Sequence, residues 1–466
     1  MIDNPFDLSD TIVATATPAG RGALAVVRLS GKRAHEIARD VVQRWPDDAR
    51  VATLTPVYDA DGAELDHAII VRYDAPASFT GEDAVELITH GGLLVPTTVV
   101  AALIARGARL AKPGEFTRRA LLNGKLDLLQ AEATGDLIAA TSRAAQREAL
   151  KQLDGGLSRR VLALRDELIG LEALIAYDID FPDEDDGPVA PARIVAATDH
   201  LIGALSRLAA TVRAGELVRE GALVVLAGAP NVGKSSLFNA LLGERRAIVT
   251  DIPGTTRDAI EAVIDTPLLP LRLVDTAGMR DAVDLVERIG VEVSESYVSR
   301  AAVVLACGDD EQSLRDIHRA LESRTAAPII AVRTKSDLAK PGDLPPAPYE
   351  FSGEPLVAVS AETGDGLTEL VELAASLAAG DAPGGGGAER ANDDAPMLTH
   401  ERHAFAIRRA LDEVGEFRER WTMDDVPVPV AAVHLREAVT TLEELIGAVD
   451  VEDVLDEVFR RFCVGK

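Results

Sequence analysis

The sequence predicts a multidomain chain: an α+β N-terminal domain, an all-α helical domain, and an α/β phosphate-loop nucleotide domain inserted among the helices. Three observations carry that reading. Short apolar runs alternate with turns up to about residue 120, and long segments rich in Ala, Leu, Arg and Glu follow. A strand–helix alternation from Gly221 to Ala379 then interrupts the helical style, which resumes at 398–420 and 429–463. In order, TIVATA (11–16), ALAVVRLSG (23–31) and HAIIVRY (67–73) read as strands, while RAHEIARDVV (33–42) and LLVPTTVVAALIARG (93–107) read as helices. The domains are therefore expected at 1–120 (α+β), 121–218 (helical, first part), 219–379 (nucleotide) and 380–466 (linker and helical, second part). YDIDFPDEDDG (177–187) reads as a solvated elbow between helices, and GDAPGGGGAERANDDAP (380–396) as a flexible linker. An inserted domain whose ends lie close together is the economical arrangement.

Composition narrows the function. The formal net charge of −28 argues against gripping nucleic acid by charge alone. The two cysteines, Cys307 and Cys463, exclude a disulfide framework and fit a reducing compartment. MIDNPFDLSD has neither a basic start nor an apolar core, and no run approaches the ~18 apolar residues of a membrane helix. The expectation is a soluble cytoplasmic protein with no membrane contact.

The apolar strand ALVVLAG (222–228) runs into GAPNVGKSSLFNALLG (228–243), where Gly228, Gly233, Lys234 and Ser235 complete a phosphate loop. The glycines let backbone N–H groups curl around phosphate oxygens, Lys234 reaches the terminal phosphates, and the Ser235 hydroxyl serves Mg²⁺. TDIPGTTRD (250–258) then offers Thr255 and Thr256 as a switch segment. LRLVDTAG (271–278) ends a strand at Asp275, a metal-side acid, with Gly278 placed to sense the γ-phosphate. In APIIAVRTKSD (327–337), Asp337 accepts hydrogen bonds from the 2-amino and ring N–H groups of guanine. Adenine lacks that edge, so GTP is the expected nucleotide. In LVAVSAETG (356–364), Ser360 and Ala361 back the base. The expected nucleotide contacts are Asn231, Val232, Gly233, Lys234, Ser235 and Ser236; Thr250, Asp251, Ile252, Pro253, Gly254, Thr255 and Thr256; Asp275, Thr276, Ala277 and Gly278; Thr334, Lys335, Ser336 and Asp337; and Ser360, Ala361 and Glu362.

Two letters depart from the usual GTPase pattern. Thr334 stands where Asn normally contacts the guanine ring nitrogen and braces the phosphate loop. Met279 stands where Ras-type enzymes place the Gln that orients water. Arg257 and Arg280 are candidate charge donors, but surface arginines are common. The Asn231 carboxamide and the carbonyls of TDIPGTT offer another route, a cage for a monovalent cation against the β/γ oxygens. The alternative is that Asn231 only stabilises the loop turn.

The whole chain resembles the MnmE (TrmE) family of tRNA uridine-modification GTPases. The resemblance rests on DTIVATATPAGRG near the start, SFTGEDAVELITHGG (78–92), PGEFTRRALLNGKLDLLQAEA (113–133), the GTPase core, and FCVGK at the end, in that order. It implies a homodimer formed through the N-terminal domain and GTP hydrolysis supported by K⁺ and by pairing of the GTPase domains. It also implies a heterotetramer with the FAD protein MnmG (GidA). Together they would add an aminomethyl-type or carboxymethylaminomethyl group to carbon 5 of the wobble uridine of certain tRNAs. The one-carbon donor would be 5-formyl- or 5,10-methylene-tetrahydrofolate. By matching motif, the resemblance assigns folate contacts to Arg28, Glu86, Lys125 and the chain-end Lys466. It assigns K⁺ to Asn231, Thr250, Ile252 and Thr255, Mg²⁺ to Ser235 and Thr256, and a water-orienting role to Glu287 beside Lys234 in the catalytic set.

The tail RRFCVGK fails as a prenylation box, since Gly465 is not aliphatic and Lys466 is a poor last residue. On position alone it reads as a frayed end. With the resemblance, VEDVLDEVFRRF (451–462) reads as a helix returning Cys463 to the folate pocket. There Cys463 serves as a catalytic thiol, or Phe462 and Lys466 serve by packing and charge. Two rival functions remain at the level of sequence. A ribosome-assembly GTPase switch predicts a basic RNA-binding appendage, and no GXXG loop lies in a basic setting here. A scaffold retaining GTP for stability is opposed by intact Lys234, Ser235, Asp275 and Asp337. Arg402, Arg408, Arg409 and Arg418 form one basic helical stretch, read as a solvated face.

Overall fold

The computed structural model describes residues 10–180, 190–244, 260–275, 297–339, 350–380, 396–423 and 428–448, with 458, 459, 462 and 465. The chain forms two compact units, one of residues 1–135 with 442–466 and one of residues 136–441.

The first unit is built on a six-stranded sheet of β1 (Ile12–Thr15), β2 (Leu24–Ser30), β3 (Thr53–Tyr58), β4 (Glu64–Tyr73), β5 (Ala84–His90) and β6 (Arg109–Leu110). Their order is β3-β4-β5-β2-β1-β6, antiparallel except for the β1–β6 pair. Alternate residues Val27, Leu29, Val85 and Leu87 face a core closed by Val99 and Leu103 of the helix Val95–Ala105. That helix starts with Pro96 in its first turn, where a missing N–H costs nothing. The helix expected at 33–42 holds only Ala34–Arg39. β3 carries Pro56, which a strand at the sheet edge tolerates.

The fully buried Arg119 donates to the Asp10 and Glu115 carboxylates and to Glu82. Such a cation in the interior is stable only because carboxylates meet both of its Nη groups. The C-terminal residues join this unit. Phe459 is buried with Leu128 and Ala131 and lies over Gly114, where a Cβ would meet its ring at 2.9 Å. Phe462 covers Gly135, and Gly465 lies against Thr15 and Ala16 of the first strand region. At its described residues the tail is therefore docked, which corrects the frayed-end reading. Apolar contact of two phenylalanines outweighs the usual disorder of a chain end.

In the second unit, helix Arg143–Leu153 is capped by Ser142, whose hydroxyl accepts from the Ala145 N–H. Helix Gly156–Asp180 runs through the start of the expected elbow, the rest of which lies outside the described residues. Helix Glu401–Met423 packs along Pro191–Ala209. Arg418 pairs with Asp199 of that helix and Arg409 with Glu437 of the helix Val428–Ile446, so the basic stretch is partly neutralised.

A seven-stranded sheet comprises β7 (Ala222–Ala227), β8 (Ile260–Ile264), β9 (Leu271–Asp275), β10 (Val303–Gly308), β11 (Ile329–Arg333), β12 (Glu350–Phe351) and β13 (Glu354–Ala358). Its order is β12-β13-β11-β10-β7-β9-β8, parallel except at the two edges. All six residues of β7 are buried, as expected for a central strand covered on both faces. Strand order departs in opposite directions on either side of β7 and β10, so the ends of these strands open a crevice suited to a ligand. Residues 397–399 return beside the helix Val212–Glu220 that leads into β7. Leu398 N–H donates to Thr211, Met397 N–H to Glu148, and Gln152 to the Met397 carbonyl.

Candidate functional site

The phosphate loop leaves β7 at Gly228. A Cβ there would stand 2.4 Å from the Cys307 carbonyl of β10, so only glycine lets the loop start this close to the neighbouring strand. Gly233 adopts φ +99°, in the left-handed region that favours glycine. These two positions let the backbone turn over the strand end before helix Lys234–Glu244 begins. The Lys234 ammonium donates to the Gly228 and Ala229 carbonyls at 2.9 and 2.8 Å. The Ser235 hydroxyl donates to the Asp275 carboxylate at 2.8 Å, joining the start of the helix to the end of β9. Both are hard oxygen donors, a pair that suits Mg²⁺.

The base side is assembled from three strand ends. Ser360, almost fully buried, donates its hydroxyl to Asp337 Oδ1 at 2.7 Å and accepts from the Glu362 and Thr363 N–H groups. The exposed Asp337 carboxylate is thereby fixed in direction while its remaining lone pairs face outward. Lys335, at φ +55°, donates to the Asn231 carbonyl at 2.9 Å and to Asp309 at 2.8 Å. Asn231 is exposed at φ +65°. Thr334 is buried, and its hydroxyl donates to the Val232 carbonyl at 2.5 Å with Gly308 at 3.2 Å. The loss of the amide at this position therefore does not cost the loop its brace. Sequence reasoning missed Asp309 and that brace. The signal for Asp309 was its place directly after the apolar run VVLACG of β10. Burial pushes the Cys307 thiol up to about 12, which makes it a core residue and not a nucleophile.

Arg28 on β2 and Glu86 on β5 stand opposite each other in register. Arg28 Nε and Nη2 both donate to Glu86 Oε1, at 2.9 and 2.8 Å. Tyr73 donates to Glu86 Oε2 at 3.1 Å, and burial followed by the Glu86 charge pushes its phenol up. With Ser30, Phe79, Thr80 and Ala84 they line a cavity of about 150 Å³. The guanidinium also lies over the Phe79 ring at 5.4 Å. Lys125 reaches the same loop, donating to the Pro76 carbonyl at 3.0 Å. Cations, an aromatic face and a carboxylate fit a ligand carrying both rings and charge. The cavity is below the roughly 300–1,000 Å³ of pockets that enclose whole ligands, so it would hold part of one. Tyr73, Phe79 and Thr80 were not singled out in the sequence; they converge only through the sheet and the loop before β5.

The structure thus brings together Asn231, Val232, Gly233, Lys234, Ser235, Ser236, Asp275, Thr334, Lys335, Ser336, Asp337, Ser360, Ala361 and Glu362 around one crevice. It places Arg28 and Glu86 together at another. Thr250, Asp251, Ile252, Pro253, Gly254, Thr255, Thr256, Thr276, Ala277, Gly278, Glu287, Cys463 and Lys466 lie outside the described residues. Among the described helices none is long and apolar enough to cross a membrane.

Residues 128–463 match the family model of the MnmE helical domain, and residues 11–125 match that of the GTP-binding protein TrmE N-terminus. A tRNA modification GTPase MnmE from Aquifex aeolicus is 41% identical over 98% of this chain and 100% of its own length. One of the same name from an Azoarcus species is 44% identical over 98% of both chains. A solved G domain of the T. maritima FeoB iron transporter is 28% identical over 34% of this chain and 98% of its own, with a TM-score of 0.26, too low to add weight.

Proposed function

The chain belongs to the MnmE family of tRNA modification GTPases, and from that premise we propose a K⁺-dependent GTP hydrolysis that serves wobble-uridine modification. The modification adds an aminomethyl-type or carboxymethylaminomethyl group to carbon 5 of the uridine. It proceeds with the FAD-containing protein MnmG and uses a tetrahydrofolate one-carbon unit. The setting is cytoplasmic, and the working form is a homodimer joined through the N-terminal domain. The GTPase domain, 219–379, is an insertion in a helical domain formed by 121–218 and 380–466.

The observation that carries the reading is the Ser235–Asp275 hydrogen bond beside Lys234. It joins the loop hydroxyl to a strand-end carboxylate beside a buried ammonium, an arrangement that supports binding of a nucleoside triphosphate with its metal. Lys234 neutralises charge on the terminal phosphates. Ser235 with Thr256 would hold Mg²⁺, which would offset negative charge developing on the phosphates. Asn231 with Thr250, Ile252 and Thr255 would hold K⁺, which supplies the positive charge an arginine finger supplies elsewhere. Met279 has no polar group to orient water, and that role falls to Glu287. Asp337, held by Ser360, selects the guanine edge.

In the first unit, Arg28 and Lys125 offer donors to the carbonyl and carboxylate groups of a folate. Glu86 accepts from its ring N–H groups, and Phe79 supplies an apolar face. Lys466 completes the charge, while Cys463 either reacts or packs. A bound tetrahydrofolate would supply the one-carbon unit. GTP turnover of the full chain in KCl against NaCl tests the K⁺ dependence. The expected loss in NaCl is on the order of 10³-fold, by analogy with removal of an arginine finger. Equal rates in the two salts would overturn it.

A further inference from the structure

We propose that this chain reads guanine through its Watson–Crick edge alone and leaves N7 unread, so that it accepts 7-deazaguanine nucleotides as well as guanine nucleotides. The inference deepens the nucleotide-site reading above and rests on it.

Guanine N7 is an acceptor with no proton of its own. Recognising it requires a donor from the protein, and the usual donor is the amide of the Asn that Thr334 replaces. A threonine hydroxyl carries one proton. At Thr334 that proton is directed to the Val232 carbonyl at 2.5 Å, with the Gly308 carbonyl at 3.2 Å beside it. The side chain is 3% exposed and held among loop and strand backbone. Rotating the hydroxyl toward a base would strip the Val232 carbonyl of this partner, in a region where an unmet polar group is costly.

Several neighbouring donors are committed as well. Thr334 N–H donates to the Gly308 carbonyl at 2.9 Å and Ser336 N–H to the Val359 carbonyl at 3.1 Å. The Glu362 and Thr363 N–H groups converge on the Ser360 hydroxyl. The Lys335 ammonium is drawn to Asn231 and Asp309 at the loop. Asp337, exposed and aimed by Ser360, remains to read the 2-amino and ring N–H groups. Position 334 in this chain has thus kept the loop-bracing half of a double duty and given up the base-reading half.

The test is equilibrium binding of GDP, 7-deaza-GDP and inosine diphosphate to the full chain, with Thr334→Asn and Thr334→Val variants. For the unmutated chain the GDP and 7-deaza-GDP affinities should agree within about twofold. Thr334→Asn should prefer GDP by roughly 2- to 10-fold, the contribution of one neutral hydrogen bond. Thr334→Val removes the brace and should weaken both nucleotides alike, leaving their ratio unchanged. That ratio keeps the proposal testable even if the Asn variant fails to fold. Inosine diphosphate lacks the 2-amino group and should bind at least about tenfold more weakly than GDP. A preference of fivefold or more for GDP over 7-deaza-GDP in the unmutated chain would overturn the assignment at Thr334. Inosine diphosphate matching GDP would overturn the Watson–Crick assignment at Asp337. If none of the three binds, the nucleotide-site reading fails and the inference fails with it.

Discussion

Lys234, Ser235 and the carbonyls that hold Lys234 lie within one short stretch of sequence, whereas Arg28 and Glu86 stand 58 positions apart and meet only because β2 and β5 pair in register. The phosphate loop at the heart of the nucleotide site is made by local backbone geometry, with glycine at two decisive points. The Arg28–Glu86 cavity is made by sheet pairing, where a one-residue slip would send the two side chains to opposite faces. A contiguous site therefore announces its chemistry in the sequence. A register-built site announces only strands.

The sharpest way to break this comparison is to disable one site and ask whether the other notices. Asp337→Asn removes a carboxylate that would accept two hydrogen bonds from guanine and already accepts one from Ser360. GTP affinity is expected to fall by roughly 10²-fold or more, with preference shifting toward xanthine nucleotides, whose 2-oxo group suits an amide donor. Tetrahydrofolate binding should be unchanged, and nucleotide and folate titrations of the same variant measure both. A parallel loss of folate binding would mean that the two sites are not independent.

The converse change is Arg28→Ala. It leaves Glu86 with Tyr73 alone of its two described side-chain partners and removes the cation above Phe79. Folate affinity should drop by about tenfold or more, as expected when a charged hydrogen-bonding partner is lost. GTP turnover should hold its unmutated value. A smaller effect sharpens the view of the loop. In Gly228→Ala the new Cβ meets the Cys307 carbonyl, a backbone atom that cannot swing aside. The expected cost is about 1–3 kcal/mol, read by chemical denaturation.

How far the fold could be read from sequence follows the same division. The buried run of β7, the loop glycines and Asp337 were legible because each is a local requirement. The Thr334 brace was not, since its partners Val232 and Gly308 come from other strand ends. β5 hid because Glu86 and Thr89 interrupt its apolar run, which reads as a motif before it reads as a strand. The tail was the hardest. Phe459, Phe462 and Gly465 find their partners at Gly114, Gly135 and Thr15, more than 300 positions away, and no local pattern encodes that.

The smallest expected effect concerns pH. Burial pushes Asp10 and Glu115 up, but hydrogen bonds from Arg109 and other donors outweigh it, so both sit below the ordinary carboxylate range. Their contribution to folding is present above the ordinary value and is lost as pH falls through the lowered one. Glu148, in the other unit, is pushed up by burial despite its bonds to Met397 and Gln152. Its contribution is present below the ordinary value and is lost as pH rises through the raised one. The two tryptophans, Trp45 and Trp421, lie in different units. In Trp421→Phe, the remaining Trp45 fluorescence should therefore report acid loosening of the first unit, and Glu115→Gln should blunt it. An acid response unaltered by Glu115→Gln would remove this pair from the account.

The central claim is that one chain couples a guanine-nucleotide site to one-carbon chemistry on tRNA. It is tested most directly by reconstituting the full chain with MnmG, tRNA, GTP and tetrahydrofolate carrying a ¹³C-labelled one-carbon unit, then analysing the wobble nucleoside by mass spectrometry. The account predicts label in the carbon-5 substituent for the unmutated chain. It predicts no label for Arg28→Ala, which still hydrolyses GTP, and none for Ser235→Ala, which still binds folate. Modified uridine without label, or label undiminished in both variants, would contradict it.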